Sequence, residues 1–252
     1  IIMAGGSGSR LYPNTRATNK HLISIYDKPM IYYSLSLIFL ANIRNIIFIC
    51  SDEDISKYKK LFGNGKNFGV SIRYLKQNIP RGIAEGILIA KKFIANKNIL
   101  LVLGDNIIYG SNFRKVILNA KKKIKKNNSI IFGCFTNNPN NFGVLKLNPK
   151  NNKLIEIIEK PKEFVSNYAV PGIYFYGSDV IKYAKQLSFS ARKELEITDL
   201  NNLYLKNKKL ECRLFNRGIS WLDSGSPEGL LDASNFVRAI EKTSGMKIAC
   251  LE

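Results

Sequence analysis

The 252-residue sequence lacks the marks of a membrane-spanning or disulfide-stabilised protein. Its longest apolar run, Leu35 to Ile43, is short and ends in polar residues, whereas a membrane helix needs roughly 18 apolar residues. The cysteines are few, far apart and without a C-x-x-C pair: Cys50, Cys134, Cys212 and Cys250. We therefore expect a cytoplasmic protein with buried, reduced thiols and with neither a zinc site nor a disulfide.

Histidine is scarcer still, because His21 is the only one in the chain. No Ser-His-Asp or Cys-His arrangement singles out a nucleophile that this histidine would activate, so we exclude the hydrolases that depend on one. The first residues, Ile1 to Ala4, carry no basic leader and run into a glycine loop. They predict a strand whose first residues are missing rather than a signal peptide.

Acidic residues are also few: 19 against 39 lysines and arginines, which gives a net charge of +20. The densest basic run, Lys121 to Lys126, lies on a segment whose apolar residues follow helical spacing, so its lysines occupy the opposite, solvated face. We find no aromatic-interleaved basic stripe and no DNA-reading helix motif, and we expect no nucleic-acid partner. With hydrophobic residues at 45%, the chain is not disordered either.

Apolar, β-rich runs alternate with amphipathic helical runs in the first half of the chain, which indicates parallel strands joined by helical crossovers. The predicted strands are Ile1–Ala4, Asn45–Ser51, Ser71–Gln77, Asn98–Leu103, Ser129–Phe135, Phe142–Leu147, Leu154–Glu159 and Ala169–Tyr176. The predicted helices are Pro29–Ala41, Glu53–Phe62, Ile83–Ile94 and Asn112–Lys126, with a last one from Ser226-Pro227 to about Lys242. After residue 129 the strands follow one another without long helices, so we expect antiparallel strands and a smaller lobe there.

A glycine-rich segment follows the first strand, and it reads Gly5-Gly6-Ser7-Gly8-Ser9-Arg10-Leu11. Glycines let the backbone turn tightly and bring N–H groups close to an anion, and Arg10 adds a fork for phosphate oxygens. The segment has neither the Walker lysine nor the third glycine of the dinucleotide fingerprint. It predicts a phosphate loop, with a plain strand-to-loop turn as the alternative.

Two aspartates follow apolar runs, at the strand ends where open α/β sheets bind ligands. Asp105 comes after Leu101-Val102-Leu103-Gly104, and Asp223 comes after Trp221-Leu222 and before Ser224-Gly225. Mg²⁺ commonly takes one or two carboxylates and completes its shell with phosphate oxygens and water. The pair predicts a magnesium site, while each aspartate taken singly is also typical of a turn or helix cap.

Charged residues that would meet a phosphate or a sugar stand near these positions. Lys20, His21 and Lys28 follow the glycine loop, and Glu159-Lys160 ends an apolar alternating run. Lysine at a strand end is usually solvated, yet a Glu-Lys pair there offers an acceptor to sugar hydroxyls and a point charge to a phosphate. Transfer from a triphosphate to an ionised phosphate needs little proton movement, so we do not expect His21 to be a catalytic base.

Taken together, the motifs resemble those of the glucose-1-phosphate thymidylyltransferase family, within the sugar-nucleotide pyrophosphorylases. The resembling segments, in chain order, are GGSGSRLYPNT, NKHLISIYDKPMIYYSL, GIAEG, LVLGDNIIYG, FGV, EKPKEFVSNYAVPGIYFY, ELEITDLN and WLDSGS. They extend over almost the whole chain. The resemblance implies a cytoplasmic enzyme that joins dTTP and α-D-glucose 1-phosphate into dTDP-glucose and pyrophosphate, usually as a homotetramer. Its product would feed deoxysugar (dTDP-rhamnose) synthesis for bacterial surface polysaccharides such as the lipopolysaccharide O-antigen.

The fold implied by the resemblance is an α/β, three-layer, Rossmann-like nucleotidyltransferase fold with a mostly parallel mixed sheet and a smaller β-rich sugar-binding lobe. We expect a single domain over residues 1–252, with a nucleotide-binding half to about 128 and a sugar-phosphate-binding half over about 129–225. Residues 226–252 would hold a C-terminal helix. We expect this helix to be truncated, because the family continues for a few dozen residues that contribute to subunit contacts and to a regulatory site.

The resemblance also implies roles for individual residues. The nucleotide would be bound by Gly5, Gly6, Gly8, Ser9, Arg10, Lys20, His21, Gln77, Gly82 and Asp105. The sugar phosphate would be bound by Asn106, Gly143, Glu159, Lys160 and Val170. Arg10, Lys20 and Lys160 would be catalytic, and Asp105 and Asp223 would hold Mg²⁺.

Four residues depart from the family pattern. His21 stands where the family usually has Gln, Ser24 where it has Pro, Phe142 where Tyr is common, and Lys193 where Gly is usual. None of them removes a proposed metal ligand or phosphate cation. We expect effects on affinity or regulation rather than on the chemistry.

Besides a basic nucleic-acid-binding protein, which rests on net charge alone, two other functions remain open at this point. The same chemistry with UTP or another hexose 1-phosphate is one, because Gln77 can bond either thymine or uracil and rejecting a missing methyl is worth only about 1–3 kcal/mol. A non-catalytic relative that binds a sugar nucleotide is the other. The joint presence of Arg10, Lys20, Asp105, Lys160 and Asp223 argues against it.

Overall fold

The computed structural model of the protein describes residues 1–6 and 8–251. Up to residue 123 the elements are β1 (Ile2–Met3), β2 (Ser24–Ile25), β3 (Lys28–Pro29), α1 (Ile31–Leu40), β4 (Asn45–Cys50), α2 (Asp52–Phe62), β5 (Ser71–Lys76), α3 (Glu85–Ile89), α4 (Lys91–Ile94), β6 (Ile99–Leu103), β7 (Asn106–Gly110) and α5 (Phe113–Lys123). The later elements are β8 (Ser129–Phe135), β9 (Gly143–Leu147), β10 (Leu154–Glu159), β11 (Tyr168–Ala169), β12 (Ile173–Tyr176), α6 (Val180–Ala184), α7 (Ile197–Lys206), β13 (Leu210–Leu214), β14 (Ile219–Asp223) and α8 (Pro227–Ser244).

The chain divides into two compact units. Unit 1 consists of residues Ile1–Pro80, Val102–Leu118 and Ser220–Glu252, and unit 2 consists of Arg81–Leu101 and Asn119–Ile219. Strand β6 and helix α5 pass from one unit into the other along the chain. The predicted single domain with a boundary near residue 128 stays a prediction.

Unit 1 is built on parallel strands in the order β6-β1-β4-β5. Ile2 pairs with both Val102 and Phe48, and Phe48 pairs with Tyr74. The apolar run of β6 is buried through Val102, as expected of a strand that is covered on both faces. The predicted parallel arrangement of the first half is confirmed.

Unit 2 centres on β8, which pairs antiparallel with β11 and β12 and parallel with β13. Strand β9 lies between β10 and β11 and is antiparallel to both. The prediction that antiparallel strands follow residue 129 is therefore confirmed. Strands β8 and β10 have the first and last residues that the sequence pattern predicts.

Two predicted elements are interrupted. The predicted strand Ala169–Tyr176 is two strands, because Pro171 has no N–H to donate to a ladder and Ile173 instead donates to the Pro171 carbonyl at 2.7 Å. The predicted helix Ile83–Ile94 begins later and divides into α3 and α4 at Ala90, whose ψ is −4°. That ψ lies well outside the helical value of about −42°.

Side chains at the helix ends explain where two helices of unit 1 begin. The Ser51 side chain accepts the Asp54 N–H at the start of α2, and the first turn of that helix is acidic. At α8 the Ser226 hydroxyl accepts the Gly229 N–H at 3.1 Å, with Pro227 in the first turn. The predicted capping serine and proline of the last helix are confirmed.

The prediction that the lysines of the densest basic run are solvated is confirmed. All five lysines between 121 and 126 are exposed. No helix among the described residues is both long and apolar enough to cross a membrane.

Cys50 and Cys134 are buried as predicted, and burial raises the pKa of Cys50 to about 12. Cys250 is exposed, contrary to the prediction, because it follows the end of α8 and does not lie in a strand.

Candidate functional site

The glycine loop follows β1 in unit 1. Gly6 and Gly8 have φ values of 112° and 59°, a backbone conformation that residues with a side chain rarely adopt. A Cβ atom on Gly8 would come within 3.0 Å of the Thr15 side chain, and the Thr15 hydroxyl donates to the Gly8 carbonyl at 2.7 Å. Ser7 lies outside the described residues. Both the backbone conformation and the close packing therefore require glycine at residue 8.

Lys20 and Asp105 form an ion pair after the carboxyl end of β6. Lys20 Nζ lies 2.5 Å from Asp105 Oδ2, and the two side chains are 17% and 18% exposed. Burial acts to raise the pKa of Asp105, but the adjacent Lys20 charge outweighs it and holds that pKa below its usual range. Asp105 therefore stays ionised across the neutral range.

Arg10 and Asp223 form a looser second pair in the same unit. Arg10 Nη1 lies 3.6 Å from Asp223 Oδ2, and the Arg10 side chain is 55% exposed. Burial raises the pKa of Asp223, Arg10 lowers it, and the negative charge of Asp105 raises it again. The charge of one predicted metal ligand, Asp105, therefore affects the protonation of the other, Asp223. A Cβ atom on Gly225 would overlap the Arg10 guanidinium, so this glycine makes room for it.

His21 is buried next to the first ion pair, and it is 2% exposed. Its Nδ1 atom lies 2.8 Å from Asn19 Oδ1, which only accepts hydrogen bonds, so Nδ1 carries the proton. Burial, and after it the Lys20 charge, lower the pKa of His21 to about 3. The Asn19 amide also donates to Asp54 Oδ2 at 2.7 Å. A neutral, enclosed imidazole of this kind is not a general base.

The remaining residues predicted for unit 1 lie at strand ends. Gln77 follows β5 and donates its backbone N–H to the Cys50 carbonyl at 2.8 Å. A Cβ atom on Gly5 would lie 3.5 Å from Gln77 Oε1. Asn106 is 3% exposed, and its Oδ1 atom accepts a hydrogen bond from Trp221 Nε1 at 3.0 Å.

In unit 2, Glu159 lies at the end of β10 within a hydrogen-bonded group. Its Oε2 atom accepts from the Thr198 hydroxyl at 2.5 Å, and its Oε1 atom accepts from Arg192 Nη2 at 3.1 Å. Arg192 also bonds Glu196 at 2.8 Å. The carboxylate of Glu159 is therefore held in a fixed orientation.

Backbone contacts join the other predicted residues of unit 2 to Glu159. Val170 donates its N–H to the Gly143 carbonyl at 2.8 Å, and Lys160 donates its N–H to the Phe142 carbonyl at 2.9 Å. A Cβ atom on Gly143 would lie 3.5 Å from Glu159 Oε2. Lys160 is exposed and has a φ of 44°. That left-handed conformation is strained for any residue with a side chain.

Gly82 is fixed by the segment that leads into α7. Its φ is 99°, and a Cβ atom there would come within 2.4 Å of the Leu195 carbonyl oxygen. The Leu195 N–H donates to the Arg81 carbonyl at 2.7 Å, and the Ala84 N–H donates to the Leu195 carbonyl at 3.3 Å. Three residues beyond Leu195, Thr198 bonds Glu159. One short segment thus contacts both Gly82 and Glu159.

The structure therefore groups the predicted site residues by unit. Unit 1 holds Gly5, Gly6, Gly8, Ser9, Arg10, Lys20, His21, Gln77, Asp105, Asn106 and Asp223, and unit 2 holds Gly82, Gly143, Glu159, Lys160 and Val170. Five polar partners of these residues were not predicted from the sequence, namely Asn19, Ser34, Arg192, Thr198 and Ser224. Thr198 lies within the ELEITD segment, and Arg192 lies two residues before it. The resemblance of that segment to the family was therefore the signal that could have identified both residues.

Sequence comparison assigns these motifs to a known family. A model of the nucleotidyl transferase family matches residues 1–240. A glucose-1-phosphate thymidylyltransferase from Neisseria meningitidis is 45% identical over 252 residues, which span 100% of this chain and 86% of the relative. The enzyme of the same name from Mycobacterium tuberculosis is 42% identical with the same coverage.

Solved structures agree with the sequence comparison. A Bacillus anthracis protein assigned as a glucose-1-phosphate thymidylyltransferase, in complex with a sucrose, superposes with a TM-score of 0.85 at 39% identity over 94% of each chain. A UDP-glucose pyrophosphorylase complexed with UDP-glucose shares the fold, with a TM-score of 0.79 at 22% identity. The predicted α/β nucleotidyltransferase fold is thereby confirmed. The chain belongs to the nucleotidyl transferase family, and within it to the glucose-1-phosphate thymidylyltransferases.

Proposed function

We propose that this enzyme joins dTTP and α-D-glucose 1-phosphate into dTDP-glucose and pyrophosphate. The observation that carries the proposal is the pair of cation–carboxylate contacts, Lys20–Asp105 and Arg10–Asp223, in the unit that holds the glycine loop. Glycine-loop N–H groups and cations suit a triphosphate. Relatives named for this reaction are 39–45% identical over the full chain.

The nucleotide is the proposed ligand of unit 1. Gly5, Gly6, Gly8 and Ser9 would contact its phosphates, and Gln77 would read the pyrimidine edge. Arg10 and Lys20 would neutralise the charge that develops on the departing pyrophosphate. The exposure of Arg10 leaves its guanidinium accessible to a phosphate. His21 would help to shape the nucleotide site and would transfer no proton, because it is buried and neutral.

Asp105 and Asp223 are the proposed ligands of Mg²⁺. Among the described residues there is no group of three or more His, Cys, Asp and Glu side chains that could hold a metal ion. Two coupled carboxylates still suit Mg²⁺, which commonly takes one or two and fills its shell with phosphate oxygens and water. The bound ion would polarise phosphate oxygens and offset their charge.

The sugar phosphate is the proposed ligand of unit 2. Glu159, oriented by Thr198 and Arg192, offers an acceptor to sugar hydroxyls. Lys160, together with Gly143 and Val170, would complete the part of the binding set that unit 2 contributes. The phosphate oxygen of the sugar then attacks the α-phosphorus in line, and the chain's residues contribute positioning and charge.

Several finer properties belong to the same proposal and rest on the resemblance. They are the Mg²⁺ requirement, a homotetramer, a cytoplasmic location, no nucleic-acid or membrane partner, and a product that feeds dTDP-rhamnose and surface-polysaccharide synthesis. Size-exclusion chromatography with light scattering tests the tetramer. Retention on duplex DNA at physiological ionic strength would contradict the absence of a nucleic-acid partner.

Pyrophosphate release across four nucleotides and several sugar 1-phosphates tests the proposed reaction. We expect the highest kcat/KM with dTTP and glucose 1-phosphate, and no release when Mg²⁺ is chelated. A preference for UTP or another hexose 1-phosphate would overturn the substrate assignment and keep the chemistry. Binding of dTDP-glucose without any release would identify a non-catalytic relative instead.

A further inference from the structure

The turn that carries Asp105 connects two strands that do not pair with each other. Strand β6 pairs with β1 and β12, whereas β7 pairs with β14 in a separate sheet. Gly104 and Asp105 are the two residues that connect β6 to β7. The Gly104 N–H donates to the Met3 carbonyl at 2.8 Å. The carbonyl oxygens of Leu103, Asp105 and Asn106 need hydrogen-bond donors from elsewhere in the chain, because backbone acceptors inside a protein are almost always hydrogen-bonded.

Ser34 of helix α1 supplies one of these partners. Its hydroxyl oxygen lies 2.8 Å from the Leu103 carbonyl oxygen and 3.2 Å from the Asn106 carbonyl oxygen. The side chain is fully buried, with 0% exposure. One hydroxyl therefore bridges the residues that directly flank the Gly104–Asp105 turn.

Ser224 supplies another partner, from the turn that carries the second carboxylate. Its hydroxyl donates to the Asp105 carbonyl at 3.1 Å, and it too is 0% exposed. Ser224 directly follows Asp223, whose Oδ1 atom accepts the Gly225 N–H at 3.1 Å. The Ser224 hydroxyl thus ties the backbone of one aspartate to the turn that bears the other.

We infer that Ser34 and Ser224 are positioning residues that fix the Asp105 carboxylate relative to the Asp223 carboxylate for divalent-metal binding. The inference rests on the proposed function, and it adds two residues that would not contact the metal or a substrate. Removing either hydroxyl takes away a hydrogen bond from the backbone of the Leu103–Asn106 turn and lets the Asp105 turn change orientation. Partners outside the coordination shell that orient metal ligands affect affinity in the same way.

Affinity for Mn²⁺, measured by electron paramagnetic resonance without sugar phosphate, tests this without turnover. We expect Ser34→Ala and Ser224→Ala each to weaken Mn²⁺ binding by about 10-fold and to raise the half-saturating Mg²⁺ concentration of pyrophosphate release in parallel. Ser224→Thr keeps a hydroxyl and should restore wild-type affinity. Ser36→Ala is the matched control, because Ser36 lies in the same helix and its hydroxyl donates to the Tyr33 carbonyl within that helix.

Unchanged Mn²⁺ affinity in both alanine variants, with only a lower melting temperature, would overturn the inference and leave the serines purely structural. A wild type that binds no Mn²⁺ would also overturn it. If Ser34→Ala does not fold, the nearly isosteric Ser34→Cys replaces it under the same criterion. The proposed function has its own test. It would be wrong if the wild-type protein bound Mn²⁺ but formed no dTDP-glucose.

Discussion

The ammonium group of Lys20 contacts Asp105 at 2.5 Å, whereas the guanidinium of Arg10 lies 3.6 Å from Asp223. The first pair is shielded on both sides, and the second has an exposed cation. Their carboxylates therefore differ: the pKa of Asp105 is held low by Lys20, and the pKa of Asp223 is raised by burial. This asymmetry gives each residue a distinguishable experimental signature.

Replacing either carboxylate should stop the reaction without unfolding the protein. We expect Asp105→Asn and Asp223→Asn each to lower turnover by orders of magnitude, because an amide has no negative charge to hold the metal ion. Turnover is measured by pyrophosphate release, and folding by circular dichroism. Asp232→Asn, an exposed carboxylate on α8, should behave like wild type. Near-normal turnover in both variants would exclude a site built on two aspartates.

Arg10→Ala should mainly lower kcat. The guanidinium is proposed to act on the triphosphate tail, where charge accumulates as pyrophosphate leaves, so its contribution is larger in the transition state than in the ground state. The KM for glucose 1-phosphate should change little. Steady-state kinetics with each substrate varied in turn give both constants. If the variant matched wild type, Arg10 would have no part in leaving-group stabilisation.

Lys160→Gly should improve stability and impair substrate saturation. Glycine adopts a φ of 44° with less strain than lysine, which we expect to raise the free energy of unfolding by about 1 kcal/mol. Loss of the ammonium should raise the KM for glucose 1-phosphate and leave the KM for dTTP unchanged. Urea unfolding and two-substrate kinetics measure the two effects.

Lys208→Gly is the matched control for this pair of effects. Lys208 is also an exposed lysine of unit 2 with a positive φ, 57°, but it follows α7 and belongs to no predicted site. The same gain in stability with unaltered kinetics is expected. If Lys160→Gly raised the KM for dTTP and left the KM for glucose 1-phosphate unchanged, Lys160 would bind the nucleotide, and its proposed role in sugar-phosphate binding would be wrong.

The pH–rate profile should report Asp223 on its acidic side. The pKa of Asp223 is raised and that of Asp105 is lowered, so Asp223 takes up a proton first as the pH falls. The acid limb of kcat/KM should therefore lie above the ordinary aspartate pKa of about 3.9. Because Arg10 lowers the pKa of Asp223, Arg10→Ala should move this limb to higher pH. Arg114→Ala, on the exposed face of α5, should leave it in place, and a downward shift in Arg10→Ala would contradict the assignment.

Much of the fold was predictable because long strands carry a local signal. Strands β8 and β10 are apolar runs bounded by polar turns, and both of their ends were predicted correctly. The two-residue strands β2 and β3 and the pair β7–β14 were not predicted. Short strands have too few residues to display a period, and β14 pairs with a strand that lies far away in sequence.

For the site, residues at strand ends were predictable and their supporting partners were not. Asp105 follows a conspicuous buried strand, so its position could be inferred from the rule for open α/β sheets. Ser34 lies inside an apolar helix, where a serine gives no local sign that its hydroxyl bonds a distant carbonyl. The bond between Thr198 and Glu159 likewise arises only when α7 packs near β10.

The order of the two units along the chain has a consequence for biosynthesis. Every residue of unit 2 precedes the last segment of unit 1, which begins at Ser220. A nascent chain that has emerged to residue 219 therefore contains all of unit 2, yet it lacks Asp223 and the Ser224 hydroxyl that holds the Asp105 turn. Since domains generally begin to fold during synthesis, N-terminal parts first, the carboxylate pair is completed only after all of unit 2 has been synthesised. A ribosome-bound intermediate of that length lacks the second of the two proposed Mg²⁺ ligands.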